Sequence, residues 1–160
     1  MAKSNISNKQ KKLPTINNNI SKIFVHLIEP DNIPYKLKYV EVNTINDIPD
    51  NTLETVMVSD LFDYIEYSDV ISILDTLFNK LKTNGQIIVQ SPDLYALSSA
   101  VAFNDIDIDT AKIILYGSQK KNMYTIYDIE NELTSRNFQI TEKRFINIFE
   151  FYISAIKNNA

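Results

Sequence analysis

Hydrophobic and polar positions along this chain alternate in two different periods, and the switches between them predict its elements. A continuous apolar run, KIFVHLI (22–28), predicts a strand buried on both faces. Pro30 and Pro34 interrupt the next stretch, and LKYVEV (37–42) reads as a second short strand. NDIPDNT (46–52) is turn material by its Asn, Asp and Pro content. ETVMVSD (54–60) predicts a third strand with its exit at Ser59–Asp60. From Ser68 to Lys82 the period changes: Val70, Leu74, Leu77, Phe78 and Leu81 recur at helical spacing and form one core-facing stripe. Ser68 is the expected N-cap, Asp69 suits the positive end of the helix, and Lys80 and Lys82 suit the negative end. Gly85 then offers the left-handed conformation that stops a helix, and QIIVQ (86–90) comes next as a strand.

Gly117 closes a second predicted helix, DTAKIILY (109–116). A last helix starts near Thr125, with Asp128 three residues on as in a capping box, and buries Ile129 and Leu133. QITEKRF (139–145) and IFEFYISAIK (148–157) read as an antiparallel hairpin. Strands separated by helices predict an α/β fold, with a mostly parallel central sheet, helices on both faces and the hairpin at its C-terminal end. Residues 1–21 are polar and carry NNN at 17–19, so a flexible arm is expected ahead of one domain over 22–160.

Composition narrows the chemistry. With no cysteine among 160 residues there is no disulfide, thiolate nucleophile or thiolate metal site. No apolar run approaches the ~20 residues of a membrane span, and the first residues lack the apolar core of a secretory signal. A cytoplasmic location is expected. The net charge of −4 disfavours general nucleic-acid binding by the body of the domain. Only the arm, through Lys3, Lys9, Lys11 and Lys12, offers a basic contact to nucleic acid or to an acidic protein surface. The richness in Ile, Asn and Lys suits an AT-rich genome, as in many phages and some small-genome bacteria; a phage origin would make a virion-associated place the alternative.

The segment from Ile48 to Leu94 resembles the C-terminal half of class I S-adenosylmethionine-dependent methyltransferases. Ile48-Pro49-Asp50 stands for their Leu-Pro acidic turn, and LFDYI (61–65) for their Leu-Glu-His signature. LKTNG (81–85) stands for Leu-Lys-Pro-Gly-Gly, and QSPDL (90–94) for the Val-Pro-Asp end. LYGSQ (115–119) and LTSRNF (133–138) look like later landmarks. The resemblance covers roughly residues 22–157 and implies a Rossmann-like methyltransferase fold, similar in particular to the branch acting on glycans and small metabolites.

In that family a glycine-rich loop after the first strand lets the backbone approach the cofactor, and an acidic residue after the second holds the ribose. Here Ile28 and Pro30, flanking Glu29, stand where the glycines belong. Isoleucine at a positive φ costs on the order of 1–2 kcal/mol, and proline removes a backbone donor. Asn43 stands at the acidic position, with Glu41 as the alternative, expected on the other side of the sheet. Ile28, Glu29, Pro30, Glu41, Asn43, Ser59 and Asp60 are therefore read as vestiges of a cofactor site, and no cofactor is expected.

If the chain is instead active, S-adenosylmethionine is the implied cofactor, and Asp60, Asp63 and Tyr64 are the catalytic candidates. Asp60, Asp63 and Glu66 cluster beyond the third strand, where a metal or amine could bind or where helix-start charges belong. His26, the sole histidine, reads as a core or edge residue rather than a base. FNDIDIDT (103–110) lacks the Gly and closing Glu of an EF-hand and reads as a loop or edge strand, so no metal is expected. Tyr64, Tyr67, Tyr95, Tyr116, Tyr124, Tyr127 and Tyr152 fit the core edge, the surface or a partner interface.

Three functions are compatible with these residues. The first is a catalytically inactive methyltransferase-like module that binds protein partners in a structural or assembly role. The second is an active methyltransferase on a glycan or small molecule. The third is a nucleic-acid accessory protein working through the lysine arm. A homodimer is also expected if the strand carrying Phe149, Phe151 and Ile153 forms an open sheet edge.

Overall fold

The computed structural model describes residues 21–26, 37–117 and 120–158. One six-stranded sheet organises them: β1 (Lys22–His26), β2 (Lys38–Glu41), β3 (Leu53–Ser59), β4 (Leu81–Pro92), β5 (Phe138–Phe145) and β6 (Glu150–Lys157). Their order is β2-β1-β3-β4-β6-β5. β1 pairs in parallel with β2 and β3, and β3 pairs in parallel with β4. β6 runs antiparallel to both β4 and β5, so the chain ends in the expected hairpin.

Strand alternation divides the apolar side chains between two faces. Ile23, Val25, Val56, Val58, Ile87, Val89 and Ile153 turn to one side and pack with α1 (Tyr67–Lys80) and α4 (Ile126–Ser135). The helices contribute Val70, Leu74 and Leu77, and Ile129 and Leu133. Burying each such side chain contributes about 1.5–3 kcal/mol. Phe24, Met57 and Ile88 turn to the other side and join Leu37 in a smaller cluster.

The ends of α1 differ from the sequence reading. Its N-cap is Glu66, whose carbonyl accepts from the amides of Asp69 (2.9 Å) and Val70 (3.1 Å), so helical bonding begins before Ser68. At the other end the Lys157 ammonium donates to the carbonyls of Phe78 (2.8 Å) and Leu81 (2.9 Å), capping α1 from β6. Desolvation pushes the Lys157 pKa down.

Gly85 is needed for space rather than for handedness. Asn84 carries the positive φ (59°), and asparagine tolerates it. A Cβ on Gly85 would lie 2.8 Å from the Lys82 carbonyl oxygen and 3.0 Å from that of Leu53. The chain bulges here: Leu81 pairs with Leu53, and regular pairing resumes at Gln86 with Thr55. Gly117 comes after α3 (Ile108–Tyr116) with φ −63°, and a Cβ there meets nothing nearer than 3.6 Å.

The capping box of α4 is present: the Thr125 hydroxyl accepts from the Asp128 amide, and the Asp128 carboxylate accepts from the Thr125 amide. Arg136, just past α4, pairs with Asp75 of α1 (2.6 Å) and Glu132 (2.6 Å), locking the two helices together.

The strand that carries Phe151 and Ile153 does not supply the open edge. β6 inserts between β4 and β5, and Phe151 and Ile153 are fully buried; the edges of the described sheet are β2 and β5. No helix among the described residues is long and apolar enough to cross a membrane. The expected arm, apart from Ser21, and Ile28, Glu29 and Pro30 lie outside the described residues.

Candidate functional site

The C-terminal ends of β1, β2, β3 and β4 meet along one rim, where parallel sheets bind ligands beside the reversal in strand order between β1 and β3. His26 and Glu41 end their strands as register partners, and Ser59 pairs with Gln90 further along the rim. His26 is half-buried. Its ring stacks on Phe24 (centroids 6.2 Å) and meets the edge of Tyr64 (6.4 Å), so it lies in an aromatic strand end rather than in the main core.

Glu41 is the last residue of β2, and its carbonyl accepts from the Thr44 hydroxyl (2.8 Å) as the chain turns into a 3-10 helix over Val42–Asp47. Strand alternation therefore does not reach Asn43, and the contrast of sheet faces expected for these two residues does not apply. The strand-end carboxylate is Glu41. It is exposed, and the Asn43 side chain donates to it at 3.3 Å.

Asp60 comes directly after β3 with a left-handed φ of 54°, its amide donating to the Gln90 carbonyl (2.9 Å). The Ser59 hydroxyl donates to its carboxylate (3.0 Å). A 3-10 helix over Leu61–Tyr64 comes next, and the burial of Leu61 and Phe62 carries Asp63 inward with them. Asp63 is 0% exposed. Its carboxylate accepts from the Ser91 hydroxyl (3.0 Å) and the Lys120 ammonium (2.8 Å). Burial pushes its pKa up; Lys120 and Ser91 pull the other way.

Residues 120–122 are fastened to this helix. The Lys121 and Asn122 amides donate to the Asp63 carbonyl (2.6 and 3.0 Å), and the Asn122 side chain donates to the Ile65 carbonyl. The Lys120 ammonium also lies 5.8 Å from the centroid of the half-buried Tyr64 ring. Glu66 turns outward to Lys121 (2.9 Å). Asp60, Asp63 and Glu66 are thus close in sequence but divergent in space, one at the strand end, one in the interior and one in solvent.

Two buried polar residues behind the rim were not singled out from sequence. Asp93 accepts from the Ala96 amide with one carboxylate oxygen and from the Ile126 amide with the other, both at 2.7 Å, so it joins the N-termini of α2 (Leu94–Ala102) and α4. Ser91 and Asp93 both fall inside the QSPDL landmark, which was their available signal. Lys120 had none, because its partner is 57 positions away. Tyr124 is buried, its hydroxyl has no hydrogen-bond partner among the described residues, and burial pushes its pKa to about 12.

FNDIDIDT forms a turn and the start of α3. Asp107 caps that helix, accepting from the amides of Asp109 (3.0 Å) and Thr110 (2.9 Å). Among the described residues no three His, Asp or Glu side chains gather in a way that could hold a metal. Of the tyrosines, Tyr67, Tyr95, Tyr116 and Tyr127 are exposed and Tyr64 and Tyr152 half-buried.

No protein-family model matches this sequence, and no curated protein matches it. Solved structures do match its fold. The S-adenosylmethionine-dependent methyltransferase of Methanosarcina mazei superposes with a TM-score of 0.59 at 13% identity, over 85% of this chain and 81% of that one. A second, from Mesorhizobium loti, gives 0.57 at 15% identity, over 86% and 81%. A protein of Pyrococcus horikoshii gives 0.56 at 13% identity over 77% of this chain, which spans 60% of that protein's length. The chain therefore has a class I S-adenosylmethionine-dependent methyltransferase-like fold, with a mostly parallel sheet and a C-terminal antiparallel hairpin.

Proposed function

We propose that this domain uses a methyltransferase-like fold without transferring methyl groups, and acts by binding protein partners in a structural or assembly role. The observation that carries this reading is the state of Asp63. In the place of the family's signature after the third strand, its carboxylate is sealed in the interior on Lys120 and Ser91. A group so placed supports the 3-10 helix and the 120–122 segment; it does not reach a ligand at the rim. Asp60 is held by Ser59 beside it.

The described residues fit S-adenosylmethionine at one position. Glu41, exposed at the end of β2, has the chemistry to accept from two ribose hydroxyls. The glycine cradle is missing from the sequence, since Ile28 and Pro30 occupy its positions. One contact of this kind does not hold a cofactor, and we derive no chemical step through it. Glu41 is nevertheless the observation that favours the second reading, an active methyltransferase on a glycan or small molecule.

Equilibrium dialysis of the full chain against tritiated S-adenosylmethionine separates the two. The first reading expects no retention that excess S-adenosylhomocysteine displaces. Saturable, displaceable retention that Glu41→Ala abolishes would overturn it.

A further inference from the structure

The two faces of the sheet are covered unequally by the described chain. α1 and α4 lie over one face, and none of the four helices contributes a side chain to the cluster of Phe24, Leu37, Met57 and Ile88 on the other. Parallel sheets are ordinarily covered on both sides, because their strands carry apolar residues on both. Next to this second cluster runs an open cleft of about 290 Å³, lined by Lys22, Leu37, Thr55, Gln86, Ile88 and Tyr152. It crosses the sheet from β1 to β6 near the N-terminal ends of β1 and β3, away from the rim that carries His26 and Glu41.

The described chain begins beside this cleft. The Ser21 carbonyl accepts from the Glu54 and Thr55 amides (2.6 and 3.1 Å), which fixes the entry to β1 against β3. Lys22 and Thr55, register partners, both line the cleft, so the described chain enters the sheet at Ser21 next to its mouth. The sequence just before carries Leu13, Ile16 and Ile20 at spacings of three and four among polar neighbours, a pattern that would share one side of a helix. Crossing from β1 over β3 and β4 to β6 takes three strand spacings, roughly 14 Å. Eight residues cover about 12 Å as a helix and about 27 Å extended.

We propose that the cleft on the sheet face opposite α1 and α4 is the docking site of this chain's own residues 13–20, with Leu13, Ile16 and Ile20 as its apolar anchors. The position of Ser21, the length of the segment and the apolar floor of Leu37 and Ile88 together select it over a foreign occupant. The proposal is independent of whether the rim binds a cofactor.

The absence of cysteine makes the test clean. In the full chain, Ile16→Cys is paired with Thr55→Cys, on the cleft, or with Asp75→Cys, exposed on α1, and each double variant is treated with a short bismaleimide at micromolar protein. Docking in cis gives a monomer-sized cross-link with Thr55→Cys at least tenfold more abundant than with Asp75→Cys. Equal yields at the two sites, or none at either, would overturn the proposal. A dimer-sized product with Thr55→Cys would overturn it in favour of a second copy. Hydrogen exchange on the unmodified chain gives a second reading: slowed exchange of the amides of residues 15–20 is expected, and lost on Ile16→Asp. Free exchange in the unmodified chain would contradict docking.

Discussion

The β3–β4–β6 half of the sheet and the β1–β2 end are built to different standards. β4 runs for 12 residues and is clamped between β3 and β6, with Val56, Val58, Ile87, Val89, Phe151 and Ile153 buried against α1 and α4. β2 has four residues, none of them fully buried, and is an edge strand. Glu41 sits at the end of this edge strand, whereas its register partner His26 ends β1, whose Ile23 and Val25 are fully buried. Concentrating buried apolar side chains around β4 leaves the edge strand able to change its sequence at little cost to the fold.

The comparison breaks if core substitutions cost equally at both ends. Phe151→Ala is expected to cost about 3–5 kcal/mol, and Val40→Ala in β2 under about 1 kcal/mol, read as urea midpoints. Equal losses would mean that the β1–β2 end carries the fold as well.

Lys120→Met probes the buried cluster beyond β3 and at the end of β4. It leaves Asp63 buried without its cation, and breaking a buried pair costs about 3–5 kcal/mol. The sign of the pH effect comes from burial, which raises the Asp63 pKa above its ordinary carboxylate value. The protonated form then suits the folded state, so this contribution is fully present below the unfolded pKa and is lost as pH rises through the raised one. Without Lys120 that pKa climbs further. The deficit of Lys120→Met relative to the parent is therefore expected to shrink between about pH 7 and pH 4.5. A deficit that grows on acidification would refute the account of Asp63.

Smaller effects sharpen the picture. Gly85→Ala forces a Cβ against two carbonyl oxygens and is expected to cost about 1–3 kcal/mol. Thr125→Ala removes half of the α4 capping box for about 1 kcal/mol. Gly117→Ala, in open space at an ordinary φ, is expected to be neutral or stabilising by up to about 1 kcal/mol. Thermal unfolding of the three variants side by side checks both magnitude and order.

Local rules made much of the strong half legible. The Leu74–Leu77 stripe, the Thr125–Asp128 capping box and the final hairpin each depend on residues near one another in sequence, and each is found. What escaped depends on partners far along the chain. The place of β6 inside the sheet is set by pairing with β4 about 65 residues away, so Phe151 and Ile153 read as an edge and proved to be core. Lys120 is invisible until the fold brings it to Asp63, and Gly85 needs the carbonyl of Leu53 to explain it. At the rim, Asp60, Asp63 and Glu66 read as a cluster because sequence spacing does not tell that Leu61 and Phe62 drag the middle carboxylate inward.

Thermal unfolding with and without S-adenosylhomocysteine tests whether this methyltransferase-like fold stands without binding S-adenosylmethionine. A ligand at 100 times its dissociation constant stabilises a folded protein by about 2.7 kcal/mol, roughly 5–10 °C for a domain of this size. The account expects no shift at millimolar ligand, for the parent and for Glu41→Ala alike. A shift of several degrees in the parent that Glu41→Ala removes would contradict it and restore a working cofactor site at the end of β2.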